Sequence, residues 1–160
     1  MDRPKTIKIT DPKVALTKAE HFCAYQERSQ QEVRDKLYDW GLWPDAVEQT
    51  ISQLIEGNFL NEDRFAKAYT KGKFSQKAWG RIKIKQGLKF KRVPDVLIKK
   101  ALLTIDADDY FATLTRILEK KASLLSERSQ LKRRYKLQQY AMSRGYEADL
   151  IADVLKNSDL

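Results

Sequence analysis

Few side chains in this 160-residue sequence have the type and spacing that chemistry requires. His21 is the only histidine, and no cysteine–histidine or carboxylate–histidine constellation surrounds it, so general-base catalysis is not expected. Cys23 is the only cysteine. It cannot form an internal disulfide, and beside Ala19, Phe22 and Ala24 it reads as a buried structural thiol in a reducing cytosol. Asn61-Glu62-Asp63 gathers three oxygen-bearing side chains, but no second cluster with ligand spacing accompanies them. The run is read as a helix start, with Asn61 as cap and the acids in the first turn, not as a metal site. None of the six glycines belongs to a phosphate-binding loop. The expectation is a chain with no catalytic residue, no metal and no cofactor.

Charge is where the sequence speaks more clearly. The chain holds 31 basic and 22 acidic side chains, a formal charge of +9. Between Lys71 and Lys100 stand eleven basic residues and a single acid, Asp95, so this stretch alone carries +10. A solvated helix face normally interleaves its signs, so such a concentration predicts a surface that meets phosphates or carboxylates. The candidate binding residues are Lys77, Arg81, Lys83, Lys85, Lys89, Lys91 and Arg92, joined by Lys132, Arg133 and Arg134 from a smaller cluster further on. Two such patches on adjacent modules would line one groove. Trp79, set among the lysines, is placed to stack on an exposed base. The alternative, which the sequence favours, is that Trp79 anchors one helix against the next while Gly80 permits close approach.

The elements that must position these residues follow from a three-fold echo in the apolar positions. Val33, Leu37, Leu42, Val47, Ile51 and Leu54 return 51 residues later as Ile84, Leu88, Val93, Ile98, Leu102 and Ile105, and the first five of these return 53 later again as Leu137, Ala141, Tyr146, Ile151 and Leu155. Residues four apart share a helix face, so each set describes two short amphipathic helices joined by a tight turn. Units of this length cannot bury their faces alone and must stack on neighbours.

The punctuation agrees with this reading. Ser29 with Glu32 makes a capping box, Gly41 and Gly145 end helices, and Pro44 opens one. Gly57-Asn58 and Pro94-Asp95 mark further boundaries, the latter pair one residue out of register with Pro44-Asp45. Asp106 to Asp109 favours a helix start, and Ser129 caps the next helix, with Ser126 the other candidate. The stretch from Arg81 to Phe90 is ambiguous, because Ile82-Lys83-Ile84-Lys85 alternates like a strand, and its match to the other units decides for helix. A first helix is expected over Leu16–Arg28. Residues 1–14 are read as an arm in which Pro4 and Pro12 break any helix and Thr6–Thr10 forms a brief strand. The expected fold is all-α: nine helices in an elongated, curved array of three tandem three-helix repeats over 15–57, 58–105 and 106–160. No apolar run approaches a membrane span and the start lacks a secretory core, so a cytoplasmic protein with no membrane contact is expected.

Three segments carry a family resemblance: Arg28-Ser29-Gln30-Gln31-Glu32-Val33-Arg34-Asp35-Lys36-Leu37 leading to Gly41; Gly57-Asn58-Phe59-Leu60-Asn61-Glu62-Asp63-Arg64-Phe65-Ala66-Lys67-Ala68-Tyr69; and Lys77-Ala78-Trp79-Gly80-Arg81-Ile82 before Leu88. In order, spacing and repeat setting the chain resembles the RecX family, regulators of the bacterial recombinase RecA, across roughly residues 15–157. The resemblance implies a monomeric, elongated helical protein that lies in the groove of the RecA–DNA filament. It also implies inhibition of the filament's ATPase and strand exchange in recombination, DNA repair and the SOS response, with direct binding of single- or double-stranded DNA as the alternative role. The family's lysine–glycine segment falls on Lys77, Gly80, Arg81 and Ile82, with Trp79 standing directly before the glycine.

Overall fold

The computed structural model describes residues 8–160, and over these the chain forms nine helices and no strand. They are α1 Pro12–Tyr25, α2 Gln30–Asp39, α3 Pro44–Glu56, α4 Glu62–Lys77, α5 Arg81–Phe90, α6 Asp95–Leu102, α7 Ala107–Leu124, α8 Gln130–Ser143 and α9 Ala148–Lys156. Helices pack within successive triples, giving repeat 1 (α1–α3), repeat 2 (α4–α6) and repeat 3 (α7–α9). Each triple encloses its own apolar core, and the three cores stand in series. The accessible surface of 10797 Å² exceeds by roughly 30% the value of about 8,300 Å² that a compact monomer of this mass would expose. The excess is what an elongated tandem array requires.

The repeat logic of the apolar positions is realised almost completely. Of the seventeen echoed residues, all but Leu102 and Ile105 are buried, and these two are partly buried against the second core. Equivalence extends to the turns. Gly41, Arg92 and Gly145 occupy the same place between the second and third helices of their repeats, and all three are left-handed, at φ 99°, 59° and 97°. The residues two further on, Trp43, Pro94 and Glu147, are the respective N-caps of α3, α6 and α9. A left-handed arginine costs about 1 kcal/mol relative to glycine, so repeat 2 retains the Arg92 side chain at some expense to its turn.

Capping residues work as their types predict. The Ser29 hydroxyl accepts from the Glu32 N–H at 3.0 Å, Asn61 from Arg64 at 3.0 Å and Asp106 from Asp109 at 3.0 Å. Ser129 does the same for Lys132 at 3.5 Å. Asn61-Glu62-Asp63 is accordingly a helix start, and α5 is helical throughout despite its alternating stretch.

The amino-terminal reading needs correction. Pro12 does not break a helix but begins one, sitting at the first helical position where a missing N–H costs nothing. Asp11 caps it by accepting from the Lys13 N–H at 3.0 Å. The helix therefore runs earlier than Leu16–Arg28 and stops at Tyr25, because the chain must extend at Gln26 to deliver Ser29 as the cap of α2. Thr6 and Ile7 of the expected strand, and Pro4, lie outside the described residues. Lys8–Thr10 is not a strand; Ile9 donates its N–H to the Trp40 carbonyl at 2.8 Å and packs on the first core.

Cys23 is 5% exposed in that core, and burial pushes its thiol from the ordinary 9 up to about 11. The raised value keeps the native thiol protonated, so its share of stability is intact below pH 9 and lost as pH rises towards 11. Alkylation by iodoacetamide at neutral pH is expected to be at least tenfold slower in the native protein than in urea. Equal rates would mean that repeat 1 opens freely around α1.

The second core is the smallest. It holds seven buried side chains against twelve in the first and eleven in the third. At about 1.5–3 kcal/mol per buried aliphatic or aromatic side chain, repeat 2 has the least stabilisation of its own and depends most on its neighbours.

Candidate functional site

Repeat 2 is held from both sides, and the holding residues come largely from the segments singled out in the sequence. At the joint with repeat 1, the Arg64 guanidinium spreads over four acceptors: Glu27 Oε1 at 2.5 Å, Asn58 Oδ1 at 3.1 Å, the Asn58 carbonyl at 3.0 Å and the Phe59 carbonyl at 3.4 Å. Lys91 adds an ion pair to Glu32 at 3.7 Å. Nearby, burial raises the Glu62 carboxyl, whereas Asp63 is held below the usual range by hydrogen bonding to Lys67.

At the joint with repeat 3 the two backbones meet directly. Gly80 donates to the Arg144 carbonyl at 2.8 Å and Ile82 to the Gly145 carbonyl at 3.0 Å. A fully buried tyrosine, Tyr110, closes the arrangement. Its hydroxyl accepts from the Arg81 N–H at 3.0 Å and donates to Glu147, which also takes the Arg81 guanidinium at 2.6 Å. The guanidinium lies 3.8 Å from the centre of the Tyr110 ring, and Phe74, Tyr110 and Tyr146 form an aromatic ladder across the joint. The Tyr146 hydroxyl donates to the Ala78 carbonyl at 2.8 Å. Burial drives both phenols upward, Tyr146 to about 12 and Tyr110 further, the latter also because its proton is held by Glu147.

Against this frame the candidate cations separate into groups. Lys85 and Lys89, one turn apart on α5, are exposed and flank a depression shared with Lys99, Asp95, Ile98 and Leu102. Among the described residues none of these three lysines lies within pairing distance of a carboxylate. Arg92 is exposed at its turn. Lys83 is drawn over Trp79, its ammonium 4.6 Å from the ring centre, with Lys73 at 4.8 Å. Trp79 itself is partly buried and packs on the second core. Arg81 and Lys91 serve the two joints. Lys77 stands at the end of α4, in a cleft facing repeat 3.

The cluster in repeat 3 is divided differently. Lys132 is exposed, but Arg133 donates to the carbonyls of Leu160, Leu125 and Ala122 at 2.8, 3.3 and 2.5 Å, closing the end of α7. Arg134 donates to the Leu155 carbonyl at 2.6 Å, near the end of α9. Lys85, Lys89 and Lys99 are thus the cations that the fold gathers on one free surface of repeat 2. Among the described residues no group of three or more His, Cys, Asp or Glu is placed to hold a metal, and no helix is long and apolar enough to cross a membrane.

Models of the first, second and third three-helix domains of RecX match residues 15–54, 61–102 and 108–155 respectively. The chain belongs to the RecX family. Among its relatives, the Regulatory protein RecX of Clostridium perfringens (strain 13) is 32% identical over 133 residues, covering 81% of this chain and 61% of the relative. That of Prosthecochloris aestuarii is 28% identical over 146 residues and covers 91% and 94%. The chain therefore spans about three-fifths of the Clostridium perfringens RecX protein and nearly all of the other. The crystal structure of RecX from Lactobacillus salivarius superimposes with a TM-score of 0.83 at 23% identity, covering 91% and 94% of the two chains, which shows a shared fold.

In this member of the RecX family, the segments that carry the resemblance are in large part the joints. Asn58 and Arg64 lie in the second segment, and Lys77 to Ile82 is the third. Sequence reasoning missed Arg116, Lys120, Lys121 and Arg144, which meet Lys77 in the cleft between repeats 2 and 3. The four-residue spacing of Arg116 and Lys120 was visible as a helix-face pair. Their convergence with Lys77 and Arg144 was not.

Proposed function

We propose that this protein is a non-enzymatic modulator of a RecA recombinase, one that docks in the groove of the RecA–DNA filament and limits its ATPase and strand exchange during recombination and repair. The proposal treats it as a cytoplasmic monomer acting through the repeats over 15–57, 58–105 and 106–160. The observation that carries the reading is the unpaired lysine surface of repeat 2, Lys85, Lys89 and Lys99, in a chain of the RecX family. A basic ridge of this kind approaches phosphates or an acidic rim without chemistry of its own. Occupying the groove excludes a second duplex, and preferring one filament conformation over another shifts the filament's equilibrium.

The test is the ATPase rate of RecA on single-stranded DNA as this protein is titrated in. Inhibition is expected for the wild type, and K85E/K89E/K99E should need at least tenfold more protein for the same effect while melting at the wild-type temperature. Arg81 is left untouched because its reversal would break the joint with Glu147. A flat ATPase response to the wild type overturns the proposal.

A second reading, direct and sequence-independent DNA binding, is favoured by the cations left unpaired in repeats 2 and 3 alike, Lys132 among them. Binding to single- and double-stranded DNA without RecA, with an affinity falling steeply as salt rises, is its signature.

A further inference from the structure

We propose that the cleft between repeats 2 and 3 is a phosphate-binding site that takes successive phosphates of the kind a nucleic-acid strand presents. The cleft has a volume of about 350 Å³ and is lined by Lys77, Arg116, Lys120, Lys121 and Arg144, with Tyr140 on one wall and no carboxylate. Eight ion pairs occupy cations elsewhere in the described chain, yet none involves these five. Arg144 donates to the Lys77 carbonyl across the joint, and its Nε remains buried with no acceptor.

A structural explanation for the cluster fails on magnitude. Three helices end at this cleft, since α4 stops at Lys77, α7 at Leu124 and α8 at Ser143, with Arg144 as its cap. Cations near helix C-termini are favourable, but each terminus is worth only about half a negative charge. Three termini offset roughly −1.5 against five cations, and Lys121 lies 5.0 Å from the centre of the Tyr140 ring, so more than three positive charges remain without a carboxylate partner. Arg116 and Lys120 lie one turn apart on the same face of α7, both exposed, and set two charges along the helix. Lys77 and Arg144 close the far side. Such spacing suits a run of phosphates better than a single anion, and bidentate arginine is well matched to phosphate oxygens. Because the walls come from both repeats, an occupant also ties the basic repeat 2 to repeat 3.

This inference concerns residues other than the lysines of the docking surface and is tested without recombinase, so the two readings fail separately. The protein and its R116E/K120E variant are compared with a K13E/K156E control, which changes net charge equally at exposed sites elsewhere. Sodium tripolyphosphate at about ten times its Kd is expected to raise the wild-type Tm by roughly 3–5 °C, to do the same for the control, and to leave R116E/K120E unmoved. A fluorescein-labelled oligothymidylate should bind R116E/K120E at least tenfold more weakly than the control, and tripolyphosphate should displace it from the wild type. Should R116E/K120E fail to fold, R116Q/K120Q serves with the same expectations. A tripolyphosphate shift with unaltered oligothymidylate binding would overturn the strand as occupant and assign the site to free polyphosphate. Equal behaviour of cleft variant and control with both probes overturns the site.

Discussion

Gly80→Ala is expected to destabilise the protein by about 3 kcal/mol and to split its unfolding into two transitions. A methyl group at Gly80 would lie 2.6 Å from the Tyr146 nitrogen and closer still to the carbonyl carbon and oxygen of Gly145. These are backbone atoms, so no side chain can swing aside. Relief requires the two repeats to separate, and with them the hydrogen bonds from Gly80 and Ile82 into repeat 3. Repeat 2, with the smallest core, would then unfold ahead of repeat 3, as tandem repeats do when an interface weakens. Gly72 provides the contrast. It sits inside α4 with nothing within 4 Å of an added methyl group, so Gly72→Ala should stabilise by about 0.5–1 kcal/mol. Urea denaturation followed by circular dichroism reads both. A Gly80→Ala protein as stable as wild type, unfolding in one transition, would show that the repeats do not meet backbone to backbone.

Tyr110→Phe tests the same joint through a single oxygen. The ring survives, with its contacts to Phe74 and Tyr146, but the Arg81 N–H loses its acceptor and Glu147 loses a donor. Leaving such groups unpaired at a part-buried site costs about 1–3 kcal/mol. The pH dependence separates this from a packing effect. The native phenol of Tyr110 titrates above its ordinary value, first because it is buried and then because Glu147 holds its proton. An unfolded tyrosine ionises near pH 10, so the stability contributed is intact below about pH 10 and falls as pH rises beyond it. Tyr146, pushed up to about 12, adds to the same alkaline loss. In the Phe variant the alkaline fall in urea midpoint should be shallower than in wild type between about pH 9 and 11. Parallel curves would mean that the Tyr110 hydroxyl is not engaged across the joint.

Much of this was legible in the order of residues. The 51- and 53-residue echo located the cores of all three repeats, because burial of a helix face leaves a periodic trace in sequence. Ser29, Asn61, Pro44 and the left-handed glycines 41 and 145 announced helix ends through chemistry confined to one turn of backbone. Pro12 was misread because the same ring that ends a helix in its interior starts one at its first position, and only the cap at Asp11 tells the two apart.

The sequence by itself determined the fold class, the number of helices, the family and the concentration of charge in the second repeat. All of these depend on residue type and near spacing. The tertiary structure decided what each charge does. It placed Arg81 against Glu147, 66 residues away, and spent Arg133 on carbonyls at the end of α7. It left Lys85, Lys89 and Lys99 free, and brought Lys77 and Arg144 to one cleft. A cation looks the same in sequence whether it closes a joint or faces solvent. Its partner is selected by how successive repeats are turned against one another, and that rotation is set by backbone contacts at Gly80 and Gly145 that no local spacing encodes.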